Sequence, residues 1–279
     1  MMMEEWEVML YSAIENGDLE TLKQLLNDHR VDVNKANKDD VRPFYAACGS
    51  GRIEIVQVFL NDSRVDINKA DYLGRTPFFI ACYWGHTKVV KLLLSDKRID
   101  VNQANKNEVS PFGIACFVGR NEVVEVLLKD ERVDVNKPIN DGRTPLYVAC
   151  ESGHLEVVKL LLNDKRVDVN KTEYIHQTPF YVACKYGDLK VVECILASGR
   201  EVDFNAQDDT GKTAIDITKE RGREEKRFWE SGIDFQRRKK LCEKIIELLE
   251  SFESNPNEIR TKLRIQLGFA GTYLNLFIF

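Results

Sequence analysis

Five of the seven cysteines, Cys48, Cys82, Cys116, Cys150 and Cys184, stand 34 residues apart. A thiol is the strongest nucleophile and the softest metal ligand a side chain offers, and in a short secreted chain such a set would read as a disulfide framework. The regular step argues against both readings. Equivalent positions of stacked helices lie about 8–10 Å apart, whereas a disulfide needs Cα atoms within about 7 Å. Each of these cysteines follows Ala, as in "IAC" and "VAC", so the column is expected to fill small buried sites. The histidines offer no better chemistry. His86 and His154 occupy one position of the period that elsewhere carries Arg52, Arg120 and Asp188, and a position open to Arg makes a poor metal ligand. His29 and His176 have no second His or Cys at ligand spacing. The chain contains no GxSxG, HExxH, GxxxxGK[ST] or paired CxxC. The carboxylates of "RVDVN" recur in every copy, which marks them as linker caps. The expectation is a protein that is not an enzyme, with no cofactor, no metal and no small-molecule substrate.

What positions these residues is the period itself. Pro43, Pro77, Pro111, Pro145 and Pro179 keep the 34-residue step, as do Gly51, Gly85, Gly119, Gly153 and Gly187. Such self-similarity predicts a stack in which each unit contacts its neighbours, so length says little about core size. Within residues 136–169, Thr144 and Pro145 read as an N-cap and first helical residue. Leu146, Ala149 and Cys150 then mark one buried face of a short inner helix. Gly153 ends it, and Val157, Val158, Leu160, Leu161 and Leu162 give a second, outer helix a wider apolar face. "RVDVN" alternates and reads as extended, and "NDG" as a tight turn.

"TPFFIAC", "SPFGIAC", "TPLYVAC" and "TPFYVAC", followed by "WGHTKVVKLLL" and "SGHLEVVKLLL", resemble the ankyrin repeat family over about residues 1–250. The resemblance implies an all-α solenoid of helix-turn-helix units with hairpin-like turns. It also implies a non-enzymatic role, binding a protein partner in the groove formed by turns and inner helices. Two features depart from the family. Eight residues follow the Leu run where seven are usual, which suggests a looser connection. Tyr45, Phe79, Gly113, Tyr147 and Tyr181 replace a His that braces neighbouring turns, so aromatic packing is expected to supply part of that bracing.

The expected organisation is an N-terminal capping repeat (1–33), five repeats (34–204), a C-terminal capping repeat (205–250) with an insertion near 223–241, and a helical tail (251–279). The cap is expected to bury the insertion's Phe228, Trp229, Ile233 and Phe235. Ile259, Leu263 and Leu267 should form one face of a tail helix, and the tail with its apolar "TYLNLFIF" end should pack on the last repeat. An alternative gives the insertion and tail, 223–279, the main partner-binding role.

Carried over from the family, the turn tips place Tyr72, Leu73, Lys106, Tyr174 and Ile175 at the groove, with Arg75 and Arg143 beside them. The ends of the inner helices place Tyr83, Trp84, Phe117, Val118, Lys185 and Tyr186 there. Gly74, Gly142 and Gly211 alternate along the turns with Asp40, Glu108 and His176, which predicts two turn shapes. The net charge of −5 disfavours nucleic acid as a partner. Turn-tip cations such as Lys38, Arg42 and Lys106 are interrupted by Asp39, Asp40, Glu108 and Asp141. The acidic "MMMEEWEVML" start does not look like a signal peptide, and no apolar run approaches the ~18 residues of a membrane span. A monomeric cytoplasmic protein is expected, with the nucleus also open to it.

The cysteine column is directly testable by urea unfolding. Cys82→Ala and Cys116→Ala should leave stability nearly unchanged, whereas Cys82→Leu should cost about 1–3 kcal/mol by overpacking. Stoichiometric zinc in the purified protein would contradict the assignment.

Overall fold

The computed structural model describes residues 5–268. It is an all-α repeat solenoid with fifteen helices among the described residues, in two compact units that meet in sequence between Asn140 and Asp141. The first holds α1 (Glu5–Asn16), α2 (Leu19–Asn27), α3 (Pro43–Ser50), α4 (Ile53–Leu60), α5 (Pro77–Trp84), α6 (Thr87–Ser95), α7 (Pro111–Phe117) and α8 (Asn121–Leu128). The second holds α9 (Pro145–Glu151), α10 (Leu155–Asn163), α11 (Pro179–Tyr186), α12 (Leu189–Ala197), α13 (Ala214–Arg223), α14 (Gly232–Ser254) and α15 (Pro256–Gln266).

Inner helices begin as the Thr-Pro and Ser-Pro pairs predict. The hydroxyls of Thr76, Ser110, Thr144 and Thr178 accept the backbone N–H three residues on, at 2.9 to 3.2 Å, and each cap is buried. Burial of the inner helix exceeds the single face expected. In α9 every residue from Pro145 to Cys150 is buried, and in α5 every residue from Pro77 to Cys82. The reason is visible for α5, which lies against α3, α6 and α7 and so has neighbours on three sides. The outer helix α6 buries Val89, Val90 and Leu93 between α4 and α8. All seven cysteines are buried free thiols.

Four columns of side chains tie neighbouring repeats together within each unit. Arg64, Arg98, Arg132 and Arg200 donate to the carbonyls of Leu26, Leu60, Leu94 and Leu162, at the C-terminal ends of the preceding outer helices. Arg64, Arg98 and Arg132 are held in place by the Asp two residues earlier, as in Arg132 Nη2 to Asp130 at 2.7 Å. This Asp-x-Arg hook occupies the linker that is one residue longer than usual, so the connection is fastened and not looser as expected. The second column is Asn: Asn68 Nδ2 donates to Arg98 O at 2.7 Å and its Oδ1 accepts Asp100 N at 3.0 Å, and Asn34, Asn102 and Asn170 do likewise. In the third, Arg52, His86 and Arg120 donate to Glu15 O, Gly49 O and Tyr83 O at 2.7 to 2.9 Å, capping the inner helices. In the fourth, Tyr11 donates to Lys35 O and Val41 O, Tyr147 to Gln177 at 3.3 Å and Tyr181 to Asp208 at 2.7 Å. Turn bracing at the substituted His position is thus carried by hydroxyls as well as by rings.

The C-terminal helices end the second unit differently. The insertion is partly an extension of the outer helix, since α14 runs unbroken from Gly232 through the Cys242, Ile245, Leu249 and Phe252 face. It does not bury its aromatics as expected: Phe228, Trp229 and Ile233 are exposed, because the buried face of α14 begins only at Arg238. Helix α15 packs on α12 and α14 with Leu263 buried and Ile259 and Leu267 half-buried. Arg260 and Arg264 of α15 reach Leu196 O and Ala197 O at 3.4 and 3.2 Å, supplying for α12 the cap that a following repeat's Arg would give. The "TYLNLFIF" stretch lies outside the described residues.

The Arg column predicts its own control. Arg132→Ala should cost about 1.5–3 kcal/mol in urea unfolding, because a charged donor to a helix end is lost, and Arg132→Lys should not restore it. Arg30, which starts the column and among the described residues pairs only with Asp28 while 90% exposed, should tolerate Ala without a change in stability.

Candidate protein-binding surface

Five of the turns are built on one acceptor side chain. Asp71 Oδ1 accepts the N–H of Leu73 and of Arg75 at 3.0 and 2.8 Å, while Asp71 N donates to Arg75 O and Gly74 N to Asp71 O. Asn37, Asn105 and Asp208 repeat this cradle, and Glu173 reproduces it with two oxygens. In the remaining turn Ile139 holds that place, and Asp141 accepts the N–H of Arg143 at 3.2 Å. Burial alone would raise the Asp208 carboxyl, but the hydroxyls of Thr210 and Tyr181 and the N–H groups of Lys212 and Thr210 hold it well below the usual carboxylate range.

The expected alternation of turn shapes is not found. Gly74, Gly142 and Gly211 have φ of 80, 86 and 78°, and Asp40, Glu108 and His176 have φ of 56, 59 and 61°, all left-handed. The cradle fixes the turn whether or not glycine is present, so non-glycine residues are forced into a conformation that costs about 1–2 kcal/mol. Glycine answers a second demand at Gly142, where an added Cβ would sit 3.0 Å from the Tyr174 ring. His176 is paired with Asp209 across to the next turn, which raises its pKa above the ordinary histidine value.

In the first unit the tips come together through Lys106 N, which donates to Leu73 O at 3.0 Å. Around this contact Tyr72 is 58% exposed and Leu73 39%, and Lys106 is exposed too. At the inner-helix ends Trp84 is 52% exposed and Phe117 47%, while Tyr83 and Val118 are half-buried. Tyr83 meets the Trp84 ring edge-on at 5.0 Å. Arg75 is paired with Asp71 at 2.6 Å and lies over the Tyr45 ring.

The second unit is polar where the first is apolar. Tyr174, Ile175 and Tyr186 are exposed, but Glu151 ties Tyr186 and Arg143 together, accepting from Tyr186 at 3.3 Å and from Arg143 at 2.7 Å. Lys185 donates to Gln177. Tyr186 and Arg143 are thus bound through Glu151, and Lys185 through Gln177. Glu151 was not among the expected site residues, and its acidic type eight residues after Arg143 was the available signal. Burial pushes the Tyr186 hydroxyl pKa up, with Glu151 adding to it. Burial likewise raises the column thiols, Cys82 and Cys184 among them, and lifts Cys194 to about 12, so these sulfurs stay protonated and unreactive in the folded chain. Among the described residues no group of His, Cys, Asp and Glu is arranged to hold a metal ion.

The family description for ankyrin repeats in three copies matches residues 10–105 and 97–173, and that for a single ankyrin repeat matches 176–209. The chain belongs to the ankyrin repeat family. Among similar solved structures, the ankyrin repeat domain of Bcl-3, described as a unique member of the IkappaB protein family, is 22% identical. The match covers 75% of this chain and 92% of that one with a TM-score of 0.67. The human ASB11 ankyrin repeat domain is 24% identical over 84% of this chain and 96% of that one, with a TM-score of 0.64. At these identities the likeness shows the fold alone. No curated protein matches the sequence. Ankyrin repeats in general are non-enzymatic protein–protein interaction modules, and no described helix is long and apolar enough to cross a membrane.

The strained turns give a prediction of opposite sign to most substitutions. Glu108→Gly should stabilise the chain by about 0.5–1 kcal/mol, the left-handed strain relieved exceeding the added freedom of the unfolded chain. Gly142→Ala should destabilise it. Thermal melting of both variants is the check, and a destabilised Glu108→Gly would show that the cradle does not impose strain.

Proposed function

We propose that this chain is a scaffold or adaptor that acts inside the cell as a monomer and holds a protein partner against the groove side of its repeats. The contact centre is Tyr72, Leu73, Trp84 and Phe117 of the first unit, with Tyr83, Lys106 and Val118 around it. The second unit carries exposed Tyr174 and Ile175 and a polar cluster of Arg143, Glu151 and Tyr186 of its own. The single observation that supports this reading most is the exposure of large apolar groups at positions where other copies carry Gly49-Ser50 or Glu151-Ser152. Nothing in the repeat framework requires an aromatic there, and exposed Tyr and Trp are the side chains most often found at interface hot spots. The acidic net charge and the interrupted tip cations favour a protein over a nucleic acid. The tail helix α15 is engaged on α12, which favours the groove over the tail as the main contact.

Trp84→Ala should weaken partner binding roughly thirtyfold, the equivalent of about 2 kcal/mol. Tyr83→Glu with Trp84→Ser, which writes the fourth repeat's residues into the second, should abolish binding while helical circular dichroism is retained. Titration calorimetry with the captured partner measures both. Binding that survives the double variant would move the contact centre to Tyr174, Ile175 and Tyr186.

A further inference from the structure

The insertion before α14 presents a feature that the stack does not use. Phe228 is fully exposed (102%), and Trp229 and Ile233 are 81% and 78% exposed, yet the segment that carries them is held firmly. Buried Arg238 bonds both oxygens of Glu230 at 2.9 and 3.0 Å, and its other N–H groups reach the carbonyls of Arg221 and Glu225. Arg238 holds the Glu230 carboxyl at about 2. Glu224 pairs with Arg227 at 2.8 Å, and Asp234 accepts from Ser231, the N-cap of α14. Three of the tip's acidic side chains are therefore occupied in fixing the tip itself.

Four of its cations are not. Lys226, Arg237, Lys240 and Lys244 have no ion-pair partner among the described residues. On α14, Arg237, Lys240 and Lys244 follow Ile233 at helical spacing, and all four are exposed, forming one stripe apart from the face buried through Cys242, Ile245 and Leu249. Between residues 223 and 244 eight Lys and Arg stand against five Asp and Glu, in a chain whose net charge is −5. The positive charge is local and lies beside the apolar tip.

We infer that this tip docks on an anionic lipid surface. Phe228, Trp229 and Ile233 enter the interfacial layer of the bilayer, and Lys226, Arg237, Lys240 and Lys244 lie against its anionic headgroups. Side chains that protrude from a short tip suit a medium that deforms around each of them. Trp sits favourably at interfacial depth, and weak apolar insertion becomes stable attachment when a basic cluster adds to it. The attachment is peripheral and is separate from the groove proposed for the protein partner.

Co-sedimentation of the full chain with phosphatidylcholine vesicles, with and without phosphatidylserine, tests this. The expected result is sedimentation with the anionic vesicles only, weakened by salt. Phe228→Ser with Trp229→Ser should reduce it at least tenfold with unchanged circular dichroism and melting, since both side chains are exposed. Arg237→Glu with Lys240→Glu should reduce it similarly and serves as the second variant should the first misfold. A wild-type chain that stays in the supernatant overturns the inference, as does a tip variant that binds like wild type. A wild-type dimer that Phe228→Ser with Trp229→Ser dissociates also overturns it, in favour of self-association.

Discussion

Every helix ends in carbonyls that have no partner within the helix, and a stack whose helices α2 to α13 are only seven to ten residues long has many such ends. The repeats of this chain resolve the problem by borrowing from the next copy. An Arg after the outer helix caps the preceding outer helix, and Arg or His at the start of an outer helix caps the preceding inner one. An Asn in the linker grips the following linker through both its amide atoms. The arginines are charged and the asparagines bidentate, so their bonds are stronger than an ordinary neutral one. The apolar core supplies the bulk of the stabilisation, and the columns fix the register in which one repeat meets the next.

This arrangement frees the groove side. The columns satisfy backbone ends and linkers, so the framework does not dictate which side chains stand at the two positions before each inner-helix glycine. The chain fills them with Tyr83-Trp84 in one copy and Glu151-Ser152 in another. Five of the turns are held in the same way, by one acceptor side chain and not by glycine, and for that reason Asp40, Glu108 and His176 occupy left-handed backbone. Rigid tips with variable side chains are what a recognition surface requires, because little ordering cost is left for the moment of binding.

Much of this could be read from the residues. The Thr-Pro caps and the buried cysteine column follow from period and position, and the exposure of Trp84, Tyr72 and Tyr174 from the resemblance that places them at turn tips and inner-helix ends. What could not be read are relations between copies. The Asp-x-Arg hook looks like two unrelated charges in the linker until the preceding helix end is placed beside it. The turn cradle overrode the glycine rule because its geometry depends on a side chain two to four residues away. The insertion misled for a different reason: aromatic residues suggest burial, but Arg238 and Glu230 fix the segment by charge and leave Phe228 and Trp229 outside.

The central claim is that the groups building the stack and the groups on its groove side are separate sets. The most direct measurement is the melting temperature of a chain carrying Tyr72→Ser, Leu73→Ser and Trp84→Ser together. If the columns and core hold the repeats, the triple variant melts within about 3 °C of the wild type, as exposed substitutions should. A loss of cooperative melting, or a drop as large as that expected of a core cavity, would mean that the groove-side aromatics are part of the packing and that the separation does not exist.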